Sequence, residues 1–209
     1  LNGFVAEPAP AGHAGATVCA TDGHRLGIMR DELGYCRPGT RNIWRLDAAT
    51  LKALKATGRE SLTRWLVIMD GATPGHYVAH VVFASNADAT NKKTGVTERA
   101  IDGALHLARK PDATKTYNLH MALVRPIDGT FPDYHRVIPP MTDNPFPGAL
   151  NHQLLKPFLA VAAKERQGSI SVIQLCGADA ESPVHVKTDR SDFVGVVMPI
   201  RFCSKTTLD

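Results

Sequence analysis

Short β-rich apolar runs come in threes along this chain, and two of the three trios follow a segment of helical period. The first trio is "LNGFVAE" and the two arms of "VCATDGHRLGIMR". The second is "RWLVIMDG", "HYVAHVVFA" and "NLHMALV", and the third "SISVIQLCG", "SPVHVKT" and "FVGVVMPIRF". Runs this short cannot make a core alone; they must pair into sheets whose apolar face something else covers. The order β-β-β, α-β-β-(insert)-β, α-β-β-β therefore predicts an α+β protein, a degenerate duplication of one unit in which antiparallel strands pack on a helix.

Two segments supply the helices. Asp47 is a natural N-cap for "AATLKALKA", with Leu51 and Leu54 on one face and Gly58 as the stop. "ALNHQLLKPFLAVAAKERQG" places Leu150, Leu154, Phe158 and Val161 or Ala162 on one side. Pro157 fits that helix poorly, since an interior proline costs about 3 kcal/mol, and it predicts a kink or a later start. Residues 86–116 interrupt the second trio. Their middle, "TERAIDGALHLARK", has Ile101, Leu105 and Ala108 at helical spacing, Arg109 and Lys110 at the C-terminal end, and Pro111 as terminator.

An apolar content of 44% over 209 residues suits a globular chain with a real core. No apolar run approaches the roughly 18–20 residues of a membrane helix, and no secretory leader reads at the start. The first residue is Leu, and "LNGFVAE" reads as a strand in progress, so the chain is expected to be cut from something longer or to start elsewhere. Four scattered cysteines without a Cys-x-x-Cys pair fit a reducing cytoplasm better than a disulfide or zinc framework. A net charge of +4 and a pI near 9.0 permit an anionic partner such as DNA without requiring one.

Motifs for nucleotide binding, nucleophile elbows and zinc helices are absent from the sequence. His76 and His80 are four apart in a strand pattern, a separation of about 13 Å on one face, which suits half-buried histidines better than a metal pair. Thr21-Asp22-Gly23-His24-Arg25-Leu26 admits two readings. Asp22 could orient His24 in a hydrolase, but no nucleophile is nominated by spacing; an Asp-Gly hairpin corner accounts for the same residues. Lys52 with Lys55, and Lys92 with Lys93, read as solvated faces or as phosphate contacts.

"LNGFVAE … ATDGHRL", then "DGTFPDYHRVIP", then "VVMPIR" stand in the order found in bacterial sliding clamps. The chain resembles the β subunit of DNA polymerase III, closely over 1–28, 120–139 and 194–201 and in pattern over 41–80 and 149–190. The resemblance implies a clamp-like fold of repeated half-domains, with helices lining a basic channel around double-stranded DNA. It implies no cofactor and no catalysis. Residues 1–140 would be a middle-domain-like part without its first helix, carrying the 86–116 insertion, and 141–209 a C-terminal half-domain. A pocket for short peptides of polymerase, clamp loader and repair proteins would use Leu1, Thr21, Gly23, His24, Arg25 and Leu26. Pro132, Arg136 and Val137 would join it from the "FPDYHRV" loop, and Val196, Val197, Met198, Pro199, Ile200 and Arg201 from the C-terminal strand.

Those side chains make an adaptable apolar slot, with Arg25, Arg136, His24 and Arg201 as rim donors to peptide carbonyls or acids. Lys52, Lys55, Lys156 and Lys164 are the candidates for salt-sensitive phosphate contacts. Lys92, Lys93, Arg99, Arg109 and Lys110 around the insertion could replace contacts of the parts the chain lacks. The family further implies a cytoplasmic homo-oligomer off the membrane; the alternative is a decoy or peptide-binding module that no longer encircles DNA.

Overall fold

The computed structural model describes residues 3–37, 39, 41–55, 63–84, 89–90, 97–98, 118–162 and 172–200. The chain divides into two compact units: Leu1–Ala6, Thr17–Asp31 and Thr130–Asp209 form one, Glu7–Ala16 and Glu32–Gly129 the other.

The first unit holds most of β1 (Gly3–Pro8) and β2 (Ala16–Thr21), with β3 (Arg25–Asp31), β11 (Gln174–Cys176), β12 (Val184–Lys187) and β13 (Phe193–Val197). They run in the order β1-β2-β3-β13-β12-β11, antiparallel from β3 onward. The union of β3 with β13 is wholly non-local: Leu26 pairs with Val196 and Arg25 with Val197. Alternation then sorts the side chains. Val184, Val186 and Val197 point to the face where helix α2 (His152–Ala162) lays Phe158, and all four are buried. Leu150, Leu154, Leu155, Phe146 and Phe193 close around them. Leu26, Val196 and His185, linked in one cross-strand row, take the opposite face and are buried as well.

Helix α2 starts where Asn151 Oδ1 accepts the Gln153 N–H at 3.0 Å. It begins at His152 and runs through Pro157, so the helix does not wait for the proline to start, and the proline sits exposed inside it.

The second unit holds β4 (Ile43–Trp44), α1 (Ala48–Leu54), β5 (Thr63–Asp70), β6 (Tyr77–Ala84), β7 (Ala89–Thr90), β8 (Thr97–Glu98), β9 (Asn118–Val124) and β10 (Pro126–Ile127). β5, β6 and β9 make an antiparallel meander, while β4 pairs with β10 and β7 with β8. Asp47 caps α1 as expected, its Oδ1 taking the Thr50 N–H at 2.7 Å. The helix ends at Leu54, before the expected stop, because Arg64 Nη1 gathers the carbonyls of Ala53 and Lys55 at 2.7 and 2.6 Å. Gly58 lies outside the described residues.

The buried position of α1 is Thr50 rather than the expected Leu51, which is exposed. The Thr50 hydroxyl meets His120 Nε2 on β9 at 2.9 Å, a polar contact that turns the helix about its axis. The helix expected over "TERAIDGALHLARK" begins instead as β8, paired with β7; the rest of it, with Lys92, Lys93, Arg99, Arg109 and Lys110, lies outside the described residues. No helix among the described residues is long and apolar enough to cross a membrane.

Candidate functional site

Three chain segments meet in the first unit: the β2–β3 turn, a 3-10 turn over Tyr134–Val137, and the end of β13. Asp-Gly builds the first of them. Gly23 sits at φ +89°, where a side chain would be strained, and Asp22 Oδ1 accepts the His24 and Arg25 amides at 3.1 Å each. Asp22 Oδ2 pairs with Arg25 Nε at 2.8 Å. Burial pushes this carboxyl's pKa up, but the two amides and the guanidinium outweigh it and hold the group below its ordinary value. The Thr21 hydroxyl donates to Arg25 O at 2.8 Å, and Met198 N–H donates to His24 O at 2.8 Å, carrying the β13–β3 pairing past the strand end.

The 3-10 turn is held from inside. Phe131 and Tyr134 are buried edge to face, their ring centroids 6.3 Å apart, and His135 packs on Tyr134 at 4.2 Å. Pro132 and Val137 are left at the surface.

Between the three segments lies a cavity of about 230 Å³, entirely within the first unit. Leu26, Val196, Met198, Val137, Pro132 and Tyr134 give it an apolar lining, and Thr21, Gly23, His24, Arg25 and Asp133 edge it. Its volume falls below the several hundred Å³ of sites that enclose a whole small molecule, and suits the side-chain anchors of a longer ligand.

Nine of the residues expected at a pocket line this one: Thr21, Gly23, His24, Arg25, Leu26, Pro132, Val137, Val196 and Met198. Arg136 instead edges a neighbouring depression of about 330 Å³ formed with Pro139, Pro140 and Pro183. Val197 points away, into the core under Phe158. Ile200 is exposed and bridges Ala149, and Pro199 is half-buried outside the cavity lining. Leu1 and Arg201 lie outside the described residues. Asp133 and Tyr134 are additional lining residues; their signal was their place between Pro132 and Arg136 in the same loop.

Both described arginines of the expected rim are already engaged. Arg25 holds Asp22, and Arg136 Nε pairs with Asp133 Oδ2 at 3.0 Å, a solvent-exposed pair of small worth. The Asp22 carboxylate serves backbone amides and Arg25, an arrangement that builds a turn rather than orienting the His24 ring. His76 lies in the turn before β6, where its Nε2 meets Arg125 Nη2 at 2.7 Å, while His80 is buried within β6. Among the described residues no group of three or more His, Cys, Asp or Glu could hold a metal ion. Cys19, Cys36 and Cys176 are in no disulfide. Lys52, Lys55 and Lys156 are exposed on α1 and α2 or at their ends, and Lys164 lies outside the described residues.

No protein-family model matches the chain. No curated protein matches it either. Among solved structures it is similar to the DnaN sliding clamp (DNA polymerase III subunit beta) from Pseudomonas aeruginosa bound to griselimycin, at 17% identity and a TM-score of 0.48, over 96% of this chain and 57% of that one. It is similar also to a putative DNA polymerase III beta subunit from Eubacterium rectale, at 13% identity and a TM-score of 0.44, over 96% and 57% of the two chains. A third is the DNA polymerase III subunit beta from Borrelia burgdorferi in complex with a natural product, with 13% identity, a TM-score of 0.44, and 97% and 56% of the two chains covered. The chain spans little more than half the length of these structures.

Proposed function

We propose that the cavity receives a short apolar peptide, and that the chain is a sliding-clamp-like tether rather than an enzyme. One observation carries this reading. The three sequence segments that resemble bacterial clamps, far apart along the chain, meet around a single apolar cavity of about 230 Å³. An extended segment ending in Leu and Phe would bury its anchors against Leu26, Val196, Met198 and Val137, an interface of micromolar strength, about −8 kcal/mol. The partners would be polymerase, clamp loader or repair proteins carrying such segments, and double-stranded DNA held without sequence preference in a cytoplasmic homo-oligomer. Tethering would raise the partner's effective concentration at its template. The exposed Lys52, Lys55 and Lys156 would supply salt-dependent phosphate contacts, joined by Lys164.

Fluorescence anisotropy of a labelled Gln-Leu-x-Leu-Phe-type peptide tests the pocket. Saturable micromolar binding, weakened about tenfold by Met198→Ala, is expected from losing a partly buried thioether anchor. Absence of binding to the unaltered chain at high concentration refutes the reading. Retention on circular but not linearised DNA separates a ring from a peptide-binding decoy, which would bind the peptide and neither DNA.

A further inference from the structure

Pro157 lies inside α2 and its side chain is exposed, so core packing does not account for it. A proline there has no amide to give the carbonyl four residues earlier, and its ring crowds that carbonyl. The carbonyl concerned belongs to Gln153, and an arginine stands beside it. Arg25 Nη1 lies 3.4 Å from Gln153 O and 3.5 Å from Leu154 O. The same guanidinium is held from its other side by Asp22, through Nε at 2.8 Å. Asp22 in turn gathers the His24 and Arg25 amides, and His24 O takes the Met198 amide. One continuous set of contacts thus runs from the Gln153 carbonyl of α2 to the wall of the cavity.

We propose that Pro157 is a positioning residue for the cavity: by withholding an amide from Gln153 it reserves that carbonyl for Arg25, and so fastens the Asp22–Arg25 wall to α2. Any other residue at 157 would bring an N–H to Gln153 O, and Arg25 would then share that oxygen with a helical donor and be held by it less strongly. The arrangement also explains why the connecting residue is arginine. Its planar fork reaches Asp22 through Nε and α2 through Nη1 at once, which a lysine ammonium cannot do. The consequence for ligand binding rests on the peptide-site reading given above; the fastening of the wall does not.

The test uses the full chain with Pro157→Ala, Arg25→Lys and both together. Hydrogen exchange is read at the His24, Arg25 and Met198 amides of the free protein, beside the thermal midpoint and the labelled-peptide titration. Pro157→Ala is expected to keep or raise the midpoint, because alanine is the better helix former. At the same time exchange at the wall quickens and peptide affinity falls, each about threefold to tenfold, the range for one ordinary hydrogen bond. Arg25→Lys disturbs the Asp22 pair as well as the α2 link, so the informative leg of the cycle is Pro157→Ala in the Arg25→Lys background, where it is expected to add less than about twofold. Unchanged wall exchange in Pro157→Ala overturns the proposal, as does a Pro157→Ala effect as large in the Arg25→Lys background as in the unaltered chain. Should the peptide fail to bind even the unaltered chain, the site reading falls, and the exchange cycle alone decides the role of the proline.

Discussion

Gly195 of β13 and Gly27 of β3 face each other across the strand pair, yet the space above them differs sharply. A Cβ on Gly195 would stand 2.8 and 2.9 Å from Phe158 Cε1 and Cδ1 and 3.1 Å from Val186 Cβ. A Cβ on Gly27 would meet only the Phe193 ring, at 3.5 and 3.7 Å. Carbon contacts are comfortable at about 3.5–4.0 Å, so Gly195→Ala forces Phe158 to lift by the better part of an ångström. Phe158 is 3% exposed and Val186 fully buried, so neither can swing into solvent. Overpacking of this kind costs about 1–3 kcal/mol, and loss of a flexible glycine from the unfolded chain returns about 0.4–1. We expect Gly195→Ala to destabilise by about 1–2 kcal/mol and Gly27→Ala to be neutral or stabilising by up to about 1 kcal/mol. Urea denaturation reports both through the midpoint at constant slope. Since β13 carries Val196 to the cavity and leads straight into Met198, peptide affinity should fall with Gly195→Ala alone. Equal effects of the two substitutions, or a Gly195→Ala change within about 0.5 kcal/mol, would refute the packing argument.

Three further expectations follow from single contacts. Asp47→Ala should cost about 1 kcal/mol through loss of the α1 cap, and Asp47→Ser should restore most of it, read by urea unfolding of the second unit. Asp22 is held below its ordinary pKa, so its stabilisation is present above the unfolded-state value of about 3.9 and fades as pH falls through the folded one; Asp22→Asn should flatten the acid limb of stability below about pH 4. His185 is buried with its Nδ1 lacking a protein partner among the described residues, and burial first, then Lys187, lowers its pKa. The folded state therefore binds fewer protons, and stability should decline as pH drops below about 6.5. In His185→Leu that decline should be shallower, measured as denaturation midpoints from pH 7 to 5, and an unchanged slope would exclude His185 as its source.

The parts legible in the sequence are those whose chemistry is local. Asp22-Gly23 carries its own turn geometry, and Asp47 announces the start of α1 by a bond to an amide three residues on. The strand trios reappear as β1–β3, β5, β6 and β9, and β11–β13. Illegible were the features decided by distant partners. Leu51 wins any count of apolar periodicity, yet Thr50 is buried because His120, 70 positions away, offers its ring nitrogen. Pro157 looks like a helix fault until Arg25 is brought beside Gln153. At the candidate site, resemblance named loops that meet around one cavity but not the sidedness of each strand: Val197 follows Val196 and, by alternation, belongs to the opposite face. The engagement of Arg25 with Asp22 and of Arg136 with Asp133 was within reach, since both pairs are three apart.

The pairing of Leu26 with Val196 sets a birth order. During synthesis β3 emerges long before β13 and waits, one long edge unpaired, for it. The second unit, built mainly from the continuous stretch 32–129, can close its meander in that interval. Closing so long a loop adds little to the free energy but slows the search, so among the described strands the β3–β13 pairing that completes the cavity is expected to form after the local hairpins. A chain caught before Val197 emerges would carry the hairpin, the Asp22 turn and an open strand edge, and would be ready to aggregate before it could bind a peptide.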